Sequence, residues 1–483
     1  MVYVRRNIWD FGRDDPMVTA YANAVRQMQT LPANNPLSWI YQAAIHGTYL
    51  NDPLSAWNQC RHGSWYFLSW HRMYVYFFES IVRKIIVQQG GPSDWALFYW
   101  DYHREGQNSI PPAFRGPVLA DGLPNPLYVT QRAPGINAGA GLPAQVTDPS
   151  FALSRTLFTG VREFGGGVSD QNKRFWSATG RLEQSPHNDV HNAVGGPTGW
   201  MSDPQTAAQD PIFWLHHANI DRLWWLWQNL PGRSNPNDAN WLNRSFPFCD
   251  INGNPVTIAA FQIQNIVTQL NYDYDTLFPK TQPAMTVDLT KESIWPQPWP
   301  RITASKAFRA IPEVRMTELL GATANPVVLD RDTVEISLRL DERALGRTVS
   351  LIEKDRLSQK VLLDLEDLSA EGNAGSVYSV YLNAPEDKNI DKRLYHIGNV
   401  SLFGKNDSRE PAANEHHNAY ISIDITEFLD DQATKGVWQT GNEIKLSFEK
   451  QELLFPEGYE ERTSEEEVSP PPITIGRVSI KCL

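Results

Sequence analysis

Asp210–Leu230 reads DPIFWLHHANIDRLWWLWQNL. Pro211 at a first-turn position and Asp210 as N-cap start a helix over 211–230. On that helix His217 is four residues after Phe213 and four before Asp221, so the three share a face, while His216 is turned about 100° away. Upstream, Glu183–Gly196 reads EQSPHNDVHNAVGG. His187 and His191 are again four apart, differ by about 40° on a helix, and can hold one ion from one face. His217, rather than His216, is the third ligand that fits beside them.

A second triad follows from the same geometry. His62 and His71 are nine apart, about 180° on a continuous helix, so they cannot share a site that way. One must lie off the helix, and Cys60–Ser64 (CRHGS), with Gly63, is the non-helical part. The helix carrying His71 then starts near Trp70, and His46, in the helical WIYQAAIHGTYL of 39–50, supplies a third imidazole. Two helix pairs each presenting three histidines to a bundle core build a dinuclear metal site. Imidazole suits Zn, Cu, Fe and Ni, and six histidines without a ligating carboxylate argue against di-iron, leaving paired copper as the better reading.

Around these stretches the 483 residues carry 43 Lys and Arg against 55 Asp and Glu, a net charge of −12. That balance, without basic clusters, argues against nucleic-acid binding. No apolar run approaches the roughly 20 residues of a bilayer span. Met1–Asp10 has no apolar stretch behind its arginines, so the expectation is no membrane and a cytoplasmic location. Cys60, Cys249 and Cys482 allow at most one disulfide. Eight of the eleven histidines precede residue 220. His103 reads as scaffold, and His396, His416 and His417, among β-like segments, read as surface residues.

Length predicts more than one domain. Residues 1–280 read as a mainly α catalytic domain, a four-helix bundle, with helices near 16–31, 37–50, 70–88, 183–193 and 211–230. Residues 281–326 are a proline-containing linker. Residues 327–483 alternate apolar and polar residues in DTVEISLRL, VYSVYL, AYISIDI, EIKLSFE and ITIGRVSIKCL, a β-sandwich pattern.

Two long motifs resemble, position for position, the copper signatures of the tyrosinase, catechol oxidase (polyphenol oxidase) and haemocyanin superfamily. They are His62-x4-Phe67-Leu68-Ser69-Trp70-His71-Arg72-x2-Val75-x3-Glu79 and Asp210-Pro211-Ile212-Phe213-Trp214-x2-His217-x3-Asp221. Arg5-Arg6-Asn7-Ile8-Trp9 and Tyr272-Asp273-Tyr274 are similar to the paired ends of that catalytic domain, and the C-terminal strands to the shielding domain of plant-type enzymes. The resemblance implies a type 3 copper pair, with His46, His62 and His71 on one ion and His187, His191 and His217 on the other. O2 would be co-substrate and small phenols the substrates. It implies a Cys60–His62 thioether, a water held by Glu183 and Asn188 as base for the phenol proton, and Phe213 over the first copper. Asn192, Trp200 and Met201 would stand near the entrance. The C-terminal domain would hold the enzyme latent, with Leu402 or Phe403 in the substrate position. An O2 carrier of the haemocyanin kind shares the six ligands; one copper domain per chain, Glu183 and Asn188 favour an oxidase. A zinc hydrolase would need an open position and a carboxylate at fixed spacing, which the motifs do not provide.

Overall fold

The computed structural model describes residues 2–51, 53–160, 162–168, 178–276, 318–341, 360–387, 390–404, 419–426, 428–429, 432, 443–458 and 470–482. The first part is helical. Helix α1 spans Pro16–Thr30 and α2 spans Trp39–His46, begun by Ser38, whose hydroxyl accepts the Tyr41 N–H. Helices α3 (Phe67–Gln88), α4 (Asp189–Gly195) and α5 (Ile212–Gln228) complete the set around the histidines. Asp210 caps α5 as its sequence predicts, with Oδ1 accepting the Ile212 N–H at 3.0 Å. Its two carboxylate oxygens also take Arg132 at 2.8 and 2.7 Å, a buried bidentate pair.

The chain ends of this half clamp α3 to α5. Strand β1 (Tyr3–Arg5) opens the half; a hairpin of β2 (Ser245–Cys249) and β3 (Pro255–Ala259) precedes β4 (Tyr272–Tyr274), which pairs parallel with β1. Buried Arg5 reaches Glu79 of α3 at 2.6 Å and Asp221 of α5 at 3.0 Å, and lies 3.8 Å over the Tyr272 ring. Asp221 also accepts from Arg72 of α3 at 2.5 Å and from the hydroxyls of Tyr272 and Tyr274, each at 2.6 Å. Burial works against the charge on Asp221, and the Arg72 and Arg5 charges outweigh it, holding the carboxyl below its ordinary range.

The C-terminal strands form two sheets packed face to face. One has the order β10 (His396–Val400), β9 (Tyr378–Leu382), β12 (Glu443–Lys450), β7 (Thr333–Arg339). The other runs β11 (Ala419–Asp424), β8 (Val361–Ser369), β13 (Ile473–Cys482), β5 (Glu318–Ala322), with β6 (Val327–Leu329) also on β13. Their facing Leu, Ile and Val side chains make a core separate from the helical one. All five segments with an alternating pattern are strands. Strand β8 escapes that pattern because Val361–Leu365 is buried throughout, as a central strand with both faces covered is.

Three expectations are corrected. The linker expected over 281–326 ends earlier, because Glu318–Ala322 is strand β5, paired with β13 in the second sheet. The helix expected over 183–193 is broken: Ser185 is extended (φ −145°, ψ 129°) before Pro186, and regular helix begins at Asp189. His396 is buried, not on the surface, its ring 5.6 Å from Phe151 and its Nε2 on Asn399 Oδ1 at 2.8 Å. His416, His417 and the linker up to residue 317 lie outside the described residues.

Candidate metal centre

Four helices and the segments leading into two of them bring six histidines to one buried place. His46 is the last residue of α2 and His71 lies in the second turn of α3, while His62 sits in the loop between them, before Gly63 at φ +60°. His187 lies just ahead of α4, His191 within it, and His217 on α5 facing them. The His71 and His217 rings stack at 4.4 Å across the two groups. The ligating atoms of His46, Cys60, His62 and His71 lie within 4.8 Å of one another, as do those of His187, His191, His216 and His217.

The donor atoms fit a metal. His46 Nδ1–H donates to Pro204 O at 2.7 Å, His71 Nδ1–H to Phe67 O at 2.8 Å, His187 Nδ1–H to Asn188 Oδ1 at 2.8 Å and His191 Nδ1–H to Met201 O at 2.6 Å. Each bond fixes a tautomer that leaves Nε2 with its lone pair, the arrangement that orients metal-bound histidines. His187 Nε2 is buried with no hydrogen-bond partner. Burial pushes the His187 imidazole down to about 3, and burial with neighbouring imidazoles holds His71, His191 and His217 well below the usual range. All four imidazoles are neutral at pH 7, as a metal ligand must be. Two all-imidazole triads with no carboxylate in either group fit a dinuclear copper pair.

The other expected residues fall as follows. Cys60 Sγ lies 3.4 Å from His62 Nδ1, 3.6 Å from His62 Nε2 and 3.4 Å from His71 Nε2. The Phe213 ring is 5.0 Å from His46 and 4.2 Å from His217, so it touches both triads. Buried Glu183 accepts the Gly63 N–H at 2.7 Å and so anchors the loop that carries His62. Asn188 fixes His187 and, with Gln184 and Ser401, lines a small cavity of about 30 Å³, enough for a water. Met201 acts through its carbonyl; among the described residues no ring contact joins Trp200 to the histidines. His216 is buried 5.3 Å from His187, ring to ring.

Over the triads stands a side chain from the other half. Phe403 stacks on His191 at 4.0 Å and 19°, and meets His62 at 5.5 Å and His187 at 5.6 Å edge-on. With its amide assigned so that the oxygen faces them, Asn192 accepts the Leu402 and Phe403 N–H groups, both at 3.3 Å. Asp189, which the sequence reading did not single out, is the other anchor: it accepts from Asn399 Nδ2 at 2.7 Å and Ser401 Oγ at 2.6 Å. Burial pushes this carboxyl up to about 6, against those hydrogen bonds. A signal for it existed, since a residue midway between His187 and His191 points away from their face, and an acid there needs buried partners. Elsewhere Asn373 Nδ2 donates to Ser202 Oγ at 2.7 Å, and Gly141 and Leu454 exchange backbone hydrogen bonds at 2.8 Å. Gly375 (φ +56°) sits so close to Gly196 that a Cβ would lie 2.1 Å from its carbonyl carbon.

The relatives agree with this arrangement. Residues 36–230 match the common central domain of tyrosinase, and residues 316–482 match a domain of unknown function (DUF7868). The chain is 30% identical over 509 residues to tyrosinase HcTyr1 of Hahella sp. (strain CCB-MM4), covering 99% of this chain and 98% of that one. It is 26% identical to the (+)-larreatricin hydroxylase of Larrea tridentata, over 88% of this chain and 72% of that one. In fold it is similar to latent aurone synthase (TM-score 0.64, 22% identity, 100% and 89% covered) and to latent apple tyrosinase (TM-score 0.62, 18% identity, 100% and 97% covered). With two buried histidine groups under a C-terminal β domain, the chain belongs to the tyrosinase family of dinuclear copper oxidoreductases acting on phenols, in the two-part architecture of its latent members.

Proposed function

We propose that the chain is a tyrosinase: it hydroxylates monophenols and oxidises the resulting o-diphenols to o-quinones with O2, and is latent while the C-terminal β domain, from β5 at Glu318 onward, covers the catalytic domain of residues 1–280. The observation that carries this reading is Phe403. A phenyl ring stacked on His191 and edge-on to His62 and His187 fills the space a flat aromatic substrate needs.

The two copper ions, held by His46, His62 and His71 and by His187, His191 and His217, supply the electron exchange between O2 and the phenol. The chain does the rest. Phe213 closes the floor of the pocket and His191 offers its ring face to the incoming ring. Glu183 and Asn188 hold a water that takes the phenolic proton, because a phenol is a poor ligand until deprotonated. Cys60 is within reach of a thioether to His62: the S–H and Cε1–H bonds break, Sγ–Cε1 forms, and two electrons and two protons pass to O2. An intact mass two hydrogens below that of the sequence checks it.

Two readings share the same centre: a catechol or o-aminophenol oxidase without monophenol hydroxylation, and an O2 carrier. Copper-loaded protein, intact and after cleavage within residues 281–317, is assayed on phenol, catechol and o-aminophenol. The proposal expects all phenolic substrates to turn over and cleavage to raise the rates. Turnover of catechol alone rejects the Glu183 and Asn188 assignment. Reversible O2 uptake without turnover rejects the enzyme, and equal rates before and after cleavage reject latency.

A further inference from the structure

The two triads share a support that belongs to neither. We propose that residues 201–204 are a common bracket for the two metal ions, and that Asn373 of the C-terminal domain is a positioning residue that holds this bracket. This rests on the dinuclear reading of the centre and gives the cover a second way to act on it, besides Phe403.

The bracket consists of two backbone carbonyls. Met201 O accepts from His191 Nδ1–H at 2.6 Å and Pro204 O from His46 Nδ1–H at 2.7 Å, so one short segment orients a ligand in each triad. Two other ligand rings are oriented from their own elements: His71 by Phe67 O, one turn earlier on α3, and His187 by its neighbour Asn188. The approach to His46 needs the glycine that follows it, because a Cβ on Gly47 would lie 2.4 Å from Pro204 O.

The segment is tied to itself and to the cover. Trp200–Ser202 is a single 3-10 turn, and Trp200 O accepts the Asp203 N–H at 3.2 Å and the Thr206 hydroxyl at 3.1 Å. A displacement of Ser202 therefore carries Met201 and Pro204 with it. Buried Ser202 receives both N–H bonds of one amide from the other domain: Asn373 Nδ2 donates to Ser202 Oγ at 2.7 Å and to Ser202 O at 3.0 Å. The Ser202 hydroxyl in turn donates to Gly196 O, at the end of the helix that carries His191. With Asn373 in place the His46 and His191 rings keep one orientation. Without it both lose support at once, while His71 and His187 keep theirs.

The full chain loaded with two Co²⁺ provides the test. Paramagnetic Co²⁺ shifts the ligand imidazole N–H protons clear of the rest of the NMR spectrum, where the exchange of each with D2O is followed separately. In Asn373→Ala the protons of His46 and His191, assigned by their Overhauser contacts, are expected to exchange about fivefold faster, the usual worth of one hydrogen bond, with those of His71 and His187 unchanged. Lys360→Gln removes a different contact of the cover, the pair with Glu163, and is expected to change none of the four. Should Asn373→Ala fail to fold, Asn373→Asp answers the same question, since it keeps the shape and removes the donor. Equal acceleration of all four protons, acceleration of neither His46 nor His191, or the same pair accelerated in Lys360→Gln overturns the proposal and leaves the dinuclear reading standing. Fewer than two bound Co²⁺ in the unsubstituted chain overturns both.

Discussion

The two histidine triads differ in how the chain builds them. The second rides on helices: His191 on α4 and His217 on α5, with His187 at the entry to α4. The first is assembled from a helix end, a loop and a helix, and its loop residue, His62, keeps its place through Gly63, whose N–H is held by Glu183 from the strand-like break before the second triad. The second triad thus helps to position the first. The difference teaches that Glu183 ties the loop of the first triad to the segment that carries the second, and that the face of the second triad is where Phe403 of the cover lands.

Removing a histidine breaks the comparison most severely. His71→Ala and His217→Ala are each expected to leave at most one copper per chain by elemental analysis and to bring phenol turnover to background. His216→Ala is expected to retain two coppers, which separates the neighbour from the ligands.

Glu183→Gln keeps an oxygen to accept the Gly63 N–H but removes the base. Monophenol hydroxylation is expected to fall by about 10²–10⁴-fold, the usual worth of a general base, with catechol oxidation changed far less. Equal losses on both substrates would reduce Glu183 to its anchoring task.

The helices carrying His71 and His217 meet through Arg72 and Asp221. Asp221→Asn leaves Arg72 buried without its carboxylate and Arg5 with Glu79 alone, and is expected to cost about 3–5 kcal/mol in denaturant unfolding at pH 7. Because the Asp221 carboxyl is held below its ordinary value of 3.8, it contributes stability above that pH and loses it as pH falls through the lower folded value. The gap between variant and parent is therefore expected to narrow below about pH 4.

Phe403→Gly sharpens the other side of the comparison. Loss of ring stacking worth about 1 kcal/mol raises the open fraction of the uncleaved chain about fivefold, read as its rate relative to the cleaved enzyme. A rate unchanged by the substitution would show that another side chain fills the substrate position.

The legible parts of the molecule are those where periodicity and function coincide. The structure brings His187, His191 and His217 together, with His216 beside them, and it puts His62 off the helix, as its nine-residue distance to His71 suggests. The strands β7, β9, β11, β12 and β13 were readable because apolar and polar residues alternate in their sequences, even in β9, which is buried throughout. What spacing could not show depends on partners far along the chain. Ser185 breaks the expected helix, and Asp189 takes its partners from Asn399 and Ser401, some 210 residues away. His396 is buried because the cover folds over Phe151, which no local pattern reports.

The claim on which everything rests is that the two triads form one centre. Copper is added stepwise to the cleaved, metal-free chain while catechol oxidation and bound copper are followed together. The account predicts two coppers per chain at saturation and activity that appears only as the second is bound. Full activity at one copper per chain, or saturation at one, would contradict it.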